Sequence, residues 1–294
     1  MRYGTGVALV LVAGIVWSTQ GLIFRQITEA GTWTVLFWRS VGMLPVLLGF
    51  LAWRAKGLPF GLIRKVGLAG AMGGLGLVMA FAGAIFSIQA TTIANAVFLF
   101  AASPFFTAIL AWLILREEVR PATWAAIALA MVGIFIMVRE GLAAGAMAGN
   151  VAALISALGF AIFTITLRWG RLSDMLPAVV LGGVFSIVAG ALVAGQLGQP
   201  LLVPLPDILY AMGMGAVTLA GGMVLYTLGS RVIPAAEAAL LSNVEVMLAP
   251  IWVWLFLGET ASTGTFVGGA VLMVAVIFNA LSGARRMQTS ALMV

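Results

Sequence analysis

The chain contains no cysteine and no histidine. Disulfides, thiolate nucleophiles, Cys/His metal sites and histidine proton relays are therefore excluded. Charge is scarce as well: 8% of the 294 residues are charged, against 63% hydrophobic. Soluble domains carry about a quarter charged residues, so a mean hydropathy of +1.18 puts this chain in the membrane class. Aspartate occurs only at Asp174 and Asp207. No P-loop lysine motif is present, so ATP is not the fuel, and no cofactor is implied.

The net charge is +6. A nucleic-acid binder would gather it into one basic patch. Here the cations are scattered between apolar runs and report membrane topology, not nucleic acid. The first apolar run, after Arg2, has no small-residue cleavage site and continues through "WSTQGLIF". It reads as a retained span and not a signal peptide.

A helix needs about 20 mostly apolar residues to cross the hydrocarbon core. Segmentation at charges, prolines and polar clusters predicts ten spans: 5–24, 33–53, 64–86, 91–115, 121–138, 149–168, 176–195, 207–229, 234–257 and 264–282. The turn between the third and fourth is expected around "SIQATT". With both termini cytoplasmic, twelve of the fifteen Lys and Arg fall on the cytoplasmic side. Only Arg25 and Arg139 fall outside, and Arg39 lies within span 2.

Residues 90–140 and 232–282 resemble each other at a shift of 142. Trp112 falls on Trp254, Glu117 on Glu259 and Thr123 on Thr265. At a shift of 143, Trp17 falls on Phe160 and Arg25 on Arg168. Five spans per half is an odd number, so the halves cross in opposite directions. The expected fold is an all-α polytopic membrane protein. Its ten transmembrane helices form two inverted five-helix repeats, roughly 1–140 and 145–290.

Three features together resemble the drug/metabolite transporter superfamily and, more narrowly, its EamA family. They are the two five-helix halves, a "WS" pair midway through span 1, and a Pro or Glu-x pair thirteen residues before "RE" or "GE" at the end of spans 4 and 9. The aromatic-rich spans resemble the YddG-type amino-acid exporters within it. The sequence departs from the pattern at "EVMLAP", where Pro250 stands four residues late, and at "SPFF", where Ser103 stands in place of Glu. The resemblance implies a secondary transporter of a bacterial inner membrane. It implies export of small metabolites by alternating access, amino acids with aromatic or hydrophobic side chains being favoured. Other metabolites or drugs, such as nucleobases and sugars, are the alternative cargo.

Glu245 lies at the middle of span 9, where an ionisable group is costly and usually functional. It can attract a substrate ammonium or carry a coupling proton; the competing reading is a structural carboxyl bonded to a neighbouring helix. Glu237 lies eight residues earlier, about 80° round the same helix and roughly 12 Å along it. The repeat sets Asn95 opposite Glu237 and Ser103 opposite Glu245. The four residues therefore define one inward polar face, with Glu245 and Ser103 at mid-membrane. Trp17 and Gln20 on span 1, Phe160 and Thr164 at the repeat-related places of span 6, and Tyr226 on span 8 complete the candidate substrate-binding set.

Arg39 either snorkels to the interface or binds a carboxylate. Arg54, Lys56, Arg64 and Lys65 are expected against anionic membrane lipids. Glu117 and Glu259 are expected to pair with loop cations or to stay solvated. An intramembrane enzyme is the remote alternative: there is no histidine, the aspartates sit at loop edges, and Glu237 and Glu245 are too far apart to share a proton.

Overall fold

The computed structural model describes residues 2–143, 146–172, 174–232, 241 and 244–291. In hydrocarbon every backbone amide must be bonded internally, so each apolar run closes into helix. Span 1 is α1 (Tyr3–Ser18) with α2 (Gln20–Phe24), and span 2 is α3 (Thr32–Ala55). A short connector, α4 (Phe60–Lys65), leads to span 3, α5 (Gly67–Ala90). Span 4 is α6 (Ile93–Phe100) with α7 (Ser103–Leu115), and span 5 is α8 (Pro121–Ala143). Spans 6 and 7 are α9 (Met147–Trp169) and α10 (Leu176–Gln196). Span 8 is composite: α11 (Leu205–Gly213), a π-helical stretch (Met214–Gly221) and α12 (Gly222–Gly229). Span 9 is α13 (Val244–Leu257), and span 10 is α14 (Thr263–Ala291).

Eight of these units are long and apolar enough to cross a membrane; α13 and the Thr263–Asn279 part of α14 are shorter apolar helices. No strand occurs among the described residues. The chain reverses at Thr91 and Thr92, inside the stretch expected to turn. The Thr92 side chain starts α6 by accepting the N–H of Asn95.

Packing between the halves is reciprocal. Span 3 lies on span 6 as span 8 lies on span 1. Span 3 touches span 7 as span 8 touches span 2, and span 4 touches span 6 as span 9 touches span 1. The self-related pairs, 2 with 7 and 5 with 10, cross each other directly. The second crossing needs glycine: a Cβ on Gly133 would come 2.6 Å from the Gly268 carbonyl, and the reverse holds equally.

The repeat extends to backbone conformation. Span 2 ends on left-handed Lys56 (φ 50°) and span 7 on left-handed Gly198 (φ 68°), 142 residues later. Arg116 (φ 54°) and Gly258 (φ 66°) end spans 4 and 9 at the same offset. In each case the next N–H folds back onto the last turn, from Gly57 to Ala52, Gln199 to Ala194, Glu117 to Ala111 and Glu259 to Val253.

Candidate functional site

Several spans are irregular along their length. Span 1 breaks at Thr19, where the Ser18 and Thr19 hydroxyls donate to the carbonyls of Ile15 and Val16. Span 4 breaks at Ala101 and Ala102, just before Ser103 and Pro104. Span 8 widens into its π stretch. Span 9 carries Pro250, which has no N–H for the carbonyl of Val246, the residue after Glu245. Spans 8 and 9 both pack on span 1, so the irregularities of these three lie about span 1.

Trp17 and Tyr226 stack obliquely there, ring centres 5.7 Å apart. Gly222 lies directly against the Trp17 indole, where any Cβ would collide. The Trp17 Nε1–H is buried without an acceptor among the described residues. Four residues before Glu245 in the chain, Leu241 packs with Tyr226 around Val10. Two turns after it, Trp252 Nε1 donates to Ser18 Oγ at 2.8 Å. The face of span 9 that carries Glu245 therefore lies along span 1. Glu245 itself is half-buried and has no hydrogen-bond or ion-pair partner among the described residues. Gln20, also half-buried, follows the break in span 1 and is equally without a partner there.

The remaining candidates lie elsewhere. Asn95 is 4% exposed. Its amide donates to Thr91 Oγ1 and Asn150 Oδ1, and its carbonyl oxygen accepts from Thr265 Oγ1. It staples spans 4, 6 and 10 together. Ser103 is half-buried at the start of α7, its carbonyl taken by the Thr107 hydroxyl. Phe160 is 41% exposed and leans on Phe163; Thr164 donates to the Phe160 carbonyl. Both sit on span 6, which packs on spans 3 and 4. Glu237 lies outside the described residues. Arg39 does not snorkel: it is buried over the ring of Phe81.

Glu117 and Glu259 do pair with cations, as one of the two expectations had it, though the partners were not named from the sequence, and the two pairs stand at opposite ends. Arg25, after span 1, pairs with Glu259, after span 9, at 2.8 Å. Arg168, ending span 6, pairs with Glu117, after span 4, at 2.6 Å. The repeat exchanges these pairs, Arg25 with Arg168 and Glu259 with Glu117. The Arg25 pair is deeper, with side chains 28% and 18% exposed against 49% and 41% for the other. It is also anchored: Arg25 donates to the Ile88 and Thr91 carbonyls, and Glu259 accepts the Ile93 N–H at 2.7 Å. The repeat offsets that aligned the four residues held the signal, because an inverted repeat pairs each half's cation with the other half's anion.

A bundle of ten apolar helices packed in two reciprocal halves, with breaks inside several spans, has the architecture of a multi-pass membrane transporter. The chain belongs to the EamA-like transporter family, whose model matches it twice, over residues 4–139 and 147–281. Solute carrier family 35 member G1 of Homo sapiens is 24% identical over 293 residues, spanning 92% of this chain and 77% of that protein. An uncharacterized transporter of Archaeoglobus fulgidus is 26% identical over 284 residues, spanning 94% and 96%. One of Clostridium kluyveri is 23% identical, spanning 93% and 92%. A crystal structure superposes with a TM-score of 0.63 at 15% identity, covering 94% of this chain and 97% of its own, which supports the fold alone. The protein is a transporter and not an enzyme.

Proposed function

We propose that this protein exports small zwitterionic metabolites, amino acids with aromatic or hydrophobic side chains first among them, from a bacterial cytoplasm across the inner membrane. The observation that carries this reading is Glu245, a carboxylate without a protein partner among the described residues, on the span 9 face that meets span 1. A substrate ammonium group satisfies such a carboxylate, and the neighbouring Trp17 and Tyr226 rings offer an apolar and cation–π wall. Both termini lie in the cytoplasm, on the side that holds most of the Lys and Arg. Transport proceeds by alternating access. Support comes from the two repeat-related ion pairs at opposite faces, each able to close one mouth when formed and open it when broken. The greater depth of the Arg25–Glu259 pair favours a conformation more open toward the cytoplasm.

Counterflow in proteoliposomes tests the substrate. Vesicles preloaded with unlabelled amino acids are expected to accumulate labelled phenylalanine or methionine, and Glu245→Gln is expected to slow this about tenfold or more, the scale of one lost charged hydrogen bond. Absence of counterflow for every amino acid would reject the amino-acid reading; unchanged counterflow in the variant would reject Glu245 as a substrate ligand.

A further inference from the structure

Arg39 is the ionisable group the site above leaves unused. It stands seven residues into α3, roughly 10 Å along the axis from Thr32, and is 5% exposed. An arginine so near an interface ordinarily extends its head to water. This one lies over Phe81 of span 3, its guanidinium carbon 4.7 Å from the ring centre. A guanidinium has five N–H donors. Among the described residues no acceptor meets any of them, and the Nε–H is fully enclosed. Among the described residues no carboxylate neutralises it: Asp207, on neighbouring span 8, turns its oxygens to the N–H groups of Thr28, Glu29 and Ala30. Span 8 closes over the spot at Gly215, whose Cα rests on the Arg39 carbonyl at the start of the π stretch.

A structural arginine is held by carbonyls or a carboxylate, and among the described residues Arg39 bonds none. A ring face compensates only part of the hydration that a buried cation loses. π-helical insertions cluster at functional sites, and an intramembrane cation facing protein marks a substrate path more often than a packing site. We propose that Arg39 is an anion subsite of the transport path and takes a carboxylate of the cargo in a forked, two-bond contact. This rests on the transporter reading and adds to it: the cargo bears a carboxylate. The opposite charges then come from opposite halves, Arg39 from the first and Glu245 from the second. A single guanidinium balances one negative charge, which fits a monocarboxylate and leaves a phosphate dianion half neutralised.

Matched acid and amide probes test this by titration calorimetry on the purified full chain. The pairs are phenylalanine with phenylalaninamide, phenylacetate with phenylacetamide, and lactate with lactamide. Wild type is expected to bind at least one acid roughly 10- to 100-fold more tightly than its amide, the range for hydrogen bonds to a charged group. Arg39→Met is expected to bring that ratio to about one, and Arg39→Lys to keep part of it. Arg39→Met removes an unpaired buried charge, so its melting temperature should equal or exceed that of wild type. If either variant does not fold, the wild-type ratio alone decides. Absence of any acid preference in wild type, weak or missing binding included, overturns the subsite, as does a preference that survives in Arg39→Met. Equal binding of phenylalanine and its amide, with no preference in the other pairs, overturns the subsite and leaves the amino-acid reading standing. Preferred phenylacetate or lactate without phenylalanine binding keeps the subsite and overturns that reading.

Discussion

At the scale of single residues, hydrogen-bond partners distinguish Asn95 from Glu245. Asn95 and Glu245 share a helical phase across the repeat, and phase alone set both on one path. The structure separates them by what surrounds each. Asn95 has its donors and acceptor met by Thr91, Asn150 and Thr265, whereas Glu245 has none met among the described residues. No sequence pattern carries the position of Asn150, 55 residues away, beside Asn95. Replacing a stapling residue exposes the difference. Asn95→Ala leaves Asn150 and Thr265 under-bonded in an apolar setting, at a cost of about 1–3 kcal/mol. Thermal unfolding should show a lower melting temperature, while the apparent KM for the transported substrate stays near the wild-type value. A raised KM with unchanged melting would return Asn95 to the substrate path.

At the scale of elements, the spans were legible because their signal is simple: long apolar runs closed by charge or turn residues. Their interruptions were less so. Pro250 and Pro104 are visible in the sequence. The break at Thr19 and the π stretch at Met214–Gly221 arise from packing: span 8 must fit Gly215 onto Arg39 and Gly222 onto Trp17. Helix ends show the same split. Gly198 and Gly258 announce left-handed ends, and the repeat offset carries that conformation to Lys56 and Arg116, which hold it against the usual steric cost. Arg116→Gly should therefore stabilise the protein. The relief of about 1–2 kcal/mol is offset by the larger unfolded-state entropy of glycine, about 0.4–1 kcal/mol. A melting temperature raised by a degree or more would agree; a fall would mean that the Arg116 side chain makes a stabilising contact that outweighs its backbone strain.

At the scale of the whole molecule, the polar ties between span ends among the described residues join ends that alternating topology puts on one side. Arg25 with Glu259, Asp207 with Thr28 and Asn95 with Asn150 and Thr265 tie one face. Arg54 with Asp174, Arg168 with Glu117 and Arg120 with Asn279 tie the other. A missed or added span would set several of these partners on opposite sides of the membrane. The absence of native cysteine makes the consequence measurable. Introduced pairs at 25 with 259, and at 117 with 168, can be joined by a short bifunctional thiol reagent. If the two mouths open in turn, joining either pair should stop transport, and reducing a cleavable linker should restore it. Joining 25 with 259 should also raise the reactivity of a cysteine placed at Glu117 toward a bulky maleimide, because a closed far mouth holds the near one open. The same maleimide, added to intact cells, should reach a cysteine at Glu259 and not one at Glu117 if the termini are cytoplasmic. Transport that continues with both pairs joined would remove alternating access as the mechanism and leave the ion pairs as fasteners only.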